Sequence, residues 1–545
     1  MRIFFKRFNF PGMDDFPEIK PNKNFLSTKT ALLLIGAILA FYALSFYVVL
    51  FPINLHSKQF YFYAVFFILS VSIILRFTKK FVKIAKYAFL LSIFMSVLFV
   101  AFEIFSIPLF RSADYAKILT ITDGDFISEV PEADFNTLPI VDRVTAIKLG
   151  ARKMGEMGNL VSQYDIDETY SQINISGKPV RVTPLYYSGF IKWLNNVKSG
   201  IPYYISIDMT NQNASLVKPP GNIKYSASDK FGRNIVRHIR FNYPTKIIGE
   251  INFEIDDENH PYYVASVIKP TIGFFEGMDV KEVITVDAID GKCTLYSAND
   301  APAWIDRVYP AEMIIKQLTD HGKYQKGFLN SVLAQEGVTA PTKGYNYLSI
   351  GKDIILYTGI TSVLSDESNI GFIFCNLRTK ETKFYPVSSA AEFSVMDSAA
   401  GAVQEKEYKA TFPILINLNG RPTYFMALKD NAELTKMFAL VDAQNYQNVA
   451  VATTVEQTVA NYNNSYLKMS EDTPSSDTAE FTVKEIQSAV VDGNTHYFIT
   501  SEEDDTIYII SVKTDNTLPF IKLNDEIHVK GHKTDKQFIV TNIIH

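Results

Sequence analysis

The sequence predicts an α+β chain: three N-terminal transmembrane helices, tandem helix-plus-antiparallel-sheet modules, and a C-terminal small β-barrel, OB- or SH3-like. Three observations carry that expectation. Three long apolar runs occupy the first 110 residues. Apolar strand signals that open on proline and tyrosine recur between residues 111 and 462. Five short strand signals without a helix fill residues 481–545.

The membrane segment comes first. Ala31 to Ile53 is an uncharged apolar run of 23 residues, enough to cross a hydrocarbon core of about 30 Å at ~1.5 Å per residue. Phe60 to Leu75 gives a second run, and Tyr87 to Phe110 a third, with Glu103 as its only charge and Pro108 near its end. Three such runs in succession argue against buried core helices. A cleaved signal peptide would show one apolar stretch of about 7–15 residues close to the start, which this is not. Glu103 lies near the end of its run and reads as a tolerated interfacial carboxylate.

Orientation follows from the basic residues of the short loops. Arg2, Lys6, Arg7, Lys20, Lys23 and Lys29 precede the first run, and Arg76, Lys79, Lys80, Lys83 and Lys86 lie between the second and third. Only Lys58 lies between the first and second. The expectation is a plasma-membrane protein with a cytoplasmic N-terminus and residues 111–545 extracytoplasmic. Charge divides the same way: residues 1–110 carry a net +8, against −13 for the rest. The mean hydropathy of +0.04 averages these two unlike regions. An acidic exterior repels nucleic acid, so the bilayer is the first partner and nucleic acid is not one.

Beyond residue 110 the pattern divides into α+β modules at 111–225 and 226–345 and a β-rich α+β module at 346–462. In the first, Ile140, Val144, Ile147, Ala151 and Met154 keep helical spacing after Thr137-Leu138-Pro139. Strands follow at Ser171–Ile175, Pro179–Val182 and Tyr203–Asp208. The second pass places Phe231, Ile235 and Ile239 on a helix, then strands, then a closing helix over Pro310 to Leu318. The third has a helix near Ala390 to Val403, four strands and a closing helix through Val455, Val459, Tyr462 and Tyr466. Pro202-Tyr203-Tyr204, Pro261-Tyr262-Tyr263 and Pro422-Thr423-Tyr424 mark an internal echo, since proline suits the first residue of a strand. Residues 463–480 read as a polar linker around Pro474-Ser475-Ser476. Residues 481–545 form the small barrel.

The sequence holds no nucleophile elbow, no metalloprotease helix, no phosphate loop and no dinucleotide fingerprint. No catalytic, cofactor-binding or metal-binding residues are expected, and no cofactor. His528 and His532 flank Gly531 between strands and do not share a helix face. Asp123-Gly124-Asp125 and Asp256-Asp257-Glu258 lack calcium-loop spacing and read as solvated turns. Two cysteines, Cys293 and Cys375, exclude a disulfide scaffold and read as thiols, with pairing left open. Trp193 and Trp304 are the candidate partner-binding residues, each also suited to packing.

Several stretches resemble an uncharacterised family of large membrane-anchored proteins of Gram-positive bacteria, often labelled colicin-V-production-like. They include Arg152-Lys153-Met154-Gly155-Glu156, Gly177-Lys178-Pro179-Val180-Arg181, Trp304-Ile305-Asp306-Arg307-Val308-Tyr309 and Asp366-Glu367-Ser368-Asn369. The resemblance covers about residues 111–545 and implies no activity and no catalytic residues. The modules at 111–225 and 226–345 are also similar, in order of elements, to PepSY-type domains, which are linked to peptidase regulation. The resulting expectation is a non-enzymatic envelope protein that binds an envelope protein or a cell-wall component as scaffold or sensor. Its alternatives are a regulator or inhibitor of an extracytoplasmic peptidase and an accessory subunit of a transport or secretion system. Oligomeric state is left open.

Overall fold

The computed structural model describes residues 26–544 apart from 364, 473–476, 492–493, 505, 512–513, 515–517, 519–520 and 535. The basic tail from Arg2 to Lys23 and the Pro474-Ser475-Ser476 turn lie outside the described residues. The chain is mixed α+β, with three long apolar helices followed by several sheets.

The apolar helices are α1 (Thr28–Val49), α2 (Lys58–Arg76) and α3 (Val82–Ser106). Ser27 caps α1 by accepting a hydrogen bond from the Thr30 backbone N–H, and Ser57 caps α2 through Phe60 N–H. Each is long and apolar enough to cross a membrane, at mean hydropathies of 2.4, 1.7 and 2.4. A short helix, α4 (Pro108–Ala116), leads into the folded region.

That folded region sits on one end of the spans. Ile53 N–H donates to Pro244 O at 2.8 Å, and Asn54 Nδ2 donates to Thr245 O at 2.8 Å. The α1–α2 loop and the end of α3 therefore share a side with the sheets. The turn carrying Arg76, Lys79 and Lys80 lies at the far end of α2 and α3. Glu103 is placed at the folded side, in an ion triad: Lys58 Nζ lies 3.0 Å from Glu103 and 2.6 Å from Glu276. The hairpin tip 272–276 packs among the spans, with Phe274 stacked on Phe102 at 4.2 Å and Phe275 fully buried. Gly273 has φ +61° there, and a Cβ at that position would collide with Ser106.

Where the sequence suggests three passes, the described residues form four modules, each a helix followed by a four-stranded antiparallel meander. The first has helix Arg143–Gly155 and strands Ser171–Ile175, Lys178–Tyr187, Tyr204–Asp208 and Ala214–Val217. The second has helix Ile235–Asn242 and strands Ile247–Ile255, Pro261–Ile272, Glu276–Asp287 and Cys293–Ser297. The third has helix Ala311–Tyr324 and strands Asn346–Ile350, Asp353–Ser362, Ser365–Asn376 and Thr382–Tyr385. The fourth has helix Glu392–Gly401 and strands Ile414–Leu418, Arg421–Lys429, Thr435–Asp442 and Val449–Ala452. In every module the second strand pairs with both the first and the third.

Hydrogen bonds fix the correspondence. The third strands end on Asp208, Asp287, Asn376 and Asp442, whose Oδ1 atoms accept backbone N–H groups two residues on. This is the Asx turn, repeated four times. The next residues, Met209, Ala288, Leu377 and Ala443, donate N–H to the carbonyls of Pro179, Pro261, Ile354 and Pro422. The equivalent prolines are therefore Pro179, Pro261 and Pro422, and Pro202 belongs to a different position. The helix near Pro310 opens the third module instead of closing the second. The sequence pattern misassigns it because an amphipathic period does not say which sheet a helix serves.

Two other boundaries move. Thr137 does not start the first helix: Ile140 N–H is bound to Met209 O, and Asp142 caps the helix from Arg143 through Thr145 N–H at 2.8 Å. Much of the expected 463–480 linker is regular, because helix Val455–Asp472 runs into it and strand Asp477–Val491 begins within it. The C-terminal strands, Asp477–Val491, Asn494–Ser501, Ile507–Ser511, Glu526–Thr534 and Gln537–Ile544, pair mostly antiparallel. The third and fifth pair in parallel.

Candidate functional site

The first strands of the modules converge, and between them lies a cleft of about 450 Å³. Tyr170 and Arg181 from the first module, Glu250 and Asn252 from the second, Arg307 and Tyr347 from the third and Phe412 from the fourth all line it. Residues more than 240 positions apart thus meet at one junction.

Two guanidiniums dominate the wall. Arg181 is buried between its own sheet and the helix entry, donating Nε to Val141 O at 3.0 Å and Nη2 to Gln172 Oε1 at 3.1 Å. Burial lowers its pKa to about 10. Arg307 is also buried. Its guanidinium carbon lies 5.0 Å from the Tyr347 ring centre, Nη2 donates to Tyr347 Oη at 3.1 Å, and Glu250 lies 3.5 Å away. Among the described residues of this wall, three polar groups are buried without a partner: Tyr170 Oη, Arg307 Nε and Asn252 Nδ2. An unpaired buried donor is costly, so these atoms mark a polar layer beneath the cleft surface. Asp142 closes one rim by pairing with Lys429 of the fourth module at 2.7 Å.

Behind Arg307 lie two buried carboxyls. The Asp306 backbone N–H donates to Glu254 at 3.0 Å, and the Asn174 backbone N–H donates to Asp306 at 2.6 Å. Burial pushes the Glu254 carboxyl up to about 7, against the pull of the Asp306 N–H and the Arg307 charge. Burial likewise raises Asp306, and the Glu254 charge adds to it. Between the ordinary glutamate value of 4.5 and about 7, the unfolded chain releases a proton that folded Glu254 keeps, so rising pH destabilises the fold. The full contribution is present below that window and is lost through it, on the order of 3 kcal/mol. Thermal melts in detergent at pH 5 and pH 8 check this: Glu254→Gln should lose less stability over that interval than the parent chain.

The sequence-derived candidates fall elsewhere. Trp193 is buried, with Nε1 donating to Asp229 at 3.0 Å, and Trp304 packs on Tyr262 with ring centres 4.7 Å apart. The cleft brings neither of them in. Asp125 caps a short helix through Ile127 N–H, and Asp256 binds the backbone of its own turn at Glu258 and His260. Cys293 and Cys375 are free thiols, both raised to about 11 by burial. His528 and His532 share strand Glu526–Thr534. His528, Glu480 and Glu526 place ligand atoms within 4.8 Å of one another, all on exposed residues. Sequence reasoning missed Arg181, Arg307 and Asn252, since nothing local distinguishes them from surface polar residues.

No family model and no curated protein sequence matches the chain. Among solved structures, a mutant of the B. megaterium levansucrase aligns at 8% identity, covering 78% of this chain and 95% of that one. Its TM-score is 0.15, and so small a likeness carries no argument about fold or activity.

Proposed function

We propose that the chain is a membrane-anchored, non-catalytic protein of the cell envelope whose modules bind a protein or cell-wall partner through the central cleft. The observation that carries this reading is the convergence of Arg181, Asn252 and Arg307 on the lining of one cleft. Such a wall suits a carboxylate, whose two oxygens match a guanidinium fork. Acidic groups on an envelope peptide or on a cell-wall component supply that chemistry.

The placement of the modules opposite the Arg76–Lys86 basic turn supports an extracytoplasmic position for residues 111–545, because basic turns stay cytoplasmic. The resemblance of these residues to membrane-anchored proteins of Gram-positive bacteria supports the same location. Repetition of helix and antiparallel sheet supports a PepSY-like reading of the modules. The C-terminal strands support a small barrel of the OB type, a five-stranded Greek key. A parallel contact between third and fifth strands favours it over an SH3-like one. The net −5 of residues 480–545 keeps nucleic acid from being its ligand.

Titration calorimetry of the full chain in nanodiscs tests the reading with short glutamate-containing peptides, either free acids or amides. The acid form should bind, and Asn252→Leu should weaken it at least tenfold. Equal binding of acid and amide, or no effect of Asn252→Leu, overturns the cleft as the binding site.

A further inference from the structure

We propose that two exposed apolar faces of the modules rest in the boundary between headgroups and acyl chains of the bilayer. These faces would add a pair of lipid contacts to the three spans. The first face is built by helix Phe190–Asn196 and the segment that leads into helix Ile235–Asn242. Phe190, Ile191, Leu194, Phe231 and Phe241 are all more than half exposed, with Ile191 at 70%. Isolated exposed apolar residues need no explanation, but contiguous ones mark an interaction surface.

What covers this face is indicated by its continuity with α1. The Phe241 ring lies 5.7 Å from Phe46 and 6.0 Å from Tyr47. Both partners belong to the last turn of a helix that ends at Val49, so Phe241 stands at the level where α1 leaves the hydrocarbon. Arg237 stacks on Tyr47 at 4.3 Å and donates to Phe231 O at 3.0 Å. Phe231 continues to Trp193 at 5.8 Å, and Trp193 to Phe190 at 5.4 Å. The face is therefore an unbroken lateral extension of a membrane helix end.

Charge complements this. Residues 190–246 hold nine Lys and Arg against two Asp, although residues 111–545 as a whole carry a net charge of −13. Exposed Lys198 and Lys230 flank the apolar residues, where headgroup phosphates would lie. An apolar face bordered by basic residues is the signature of an interfacial segment.

The second face lies beside α4. Leu329, Val332 and Leu333 are exposed, Leu333 at 77%. Their helix, Gly327–Val332, is held to α4 through Phe328, Tyr324 and Tyr115, with successive ring centres 6.5 and 6.0 Å apart. α4 begins two residues after α3 ends and exposes Leu109 and Phe110. One lipid-facing patch thus adjoins α1 and the other adjoins the exit of α3.

The test uses the full chain in nanodiscs with Cys293→Ser, leaving the fully buried Cys375 in place. A single cysteine at Ile191→Cys, Leu333→Cys or Glu258→Cys carries an environment-sensitive fluorophore, and some lipids carry a nitroxide high on the acyl chain. Glu258 is the control: it is exposed, and the 12-residue strand Pro261–Ile272 sets it about 40 Å from the docked tip. Quenching at 191 and 333 at least twofold above that at 258 is the expected result. Quenching no greater than at 258 overturns the proposal, as does a blue-shifted emission at 191 and 333 without quenching, which would mean protein covers these faces.

Discussion

Arg307→Met lowers the stability of the full chain by about 3–5 kcal/mol, the cost of removing one member of a buried ionic group. Burial opposes the Arg307 charge, yet Tyr347, Glu250 and Glu254 together hold its pKa above the ordinary value. Without the guanidinium, buried Glu254 and its partly exposed strand neighbour Glu250 lose the cation that both interact with, and Tyr347 loses both its hydrogen bond and its stacked cation. Arg307→Lys restores less than its charge suggests, because an ammonium offers no planar fork and stacks poorly on a ring. Chemical denaturation in detergent measures the loss. Arg307→Met combined with Glu254→Gln should be clearly less destabilised than the two single losses summed, since the second change removes the carboxylate that the first strands. Additive losses would mean that Arg307 acts through packing alone.

The spans and the overall class are legible because both rest on local pattern: long apolar runs for the helices, alternation and turn residues for the strands. The module count is not, and the reason lies in particular residues. The third module keeps the Asx turn with Asn376 in place of aspartate, and it has Ile354 where its relatives have Pro179, Pro261 and Pro422. Its two most readable letters are therefore altered while its hydrogen bonds are kept. Its helix can then be credited to the module before it. Asn463–Glu480 reads as a linker because polar residues dominate it, yet helix Val455–Asp472 runs through its start.

The cleft is illegible for a different reason. Arg181, Asn252, Arg307 and Tyr347 are spread over four strands or loops from three modules, so their proximity exists only after the sheets pack together. Buried arginine also runs against the residue's usual place at the surface. Glu103 shows the reverse case: its position near the end of an apolar run places it at an interface, as the structure has it. Its neighbour Glu276 comes from 173 residues away, bridged through Lys58, which no spacing rule shows.

Phe275→Ala should loosen the modules from the spans without unfolding either one. Phe275 is fully buried, and its ring lies 5.1 Å from Phe99, 5.6 Å from Tyr61 and 6.2 Å from Phe102. Every one of those partners belongs to α2 or α3, so truncation removes packing between modules and spans and leaves the module core intact. A buried Phe→Ala change costs about 3–5 kcal/mol. The neighbouring Lys58–Glu276 pair cannot hold the contact alone: both side chains are at least 30% exposed, and such pairs contribute about 1 kcal/mol or less. With the Phe274–Phe102 stack and the Ile53–Pro244 and Asn54–Thr245 hydrogen bonds left as its other ties, the contact opens more readily, as a sub-global step. Proteolysis of the 50–57 loop in detergent should speed up by roughly 10²–10³, as expected for that free energy at ~1.4 kcal/mol per tenfold. The main melting transition of the modules should stay in place. Strand Pro261–Ile272 runs from the cleft wall, where Val264 pairs with Asn252, to this docked tip. The same variant thus asks whether the membrane contact holds the cleft in its shape: weaker binding of the glutamate peptide acid by Phe275→Ala, with the modules still folded, means that it does, and unchanged binding means the modules form the cleft unaided.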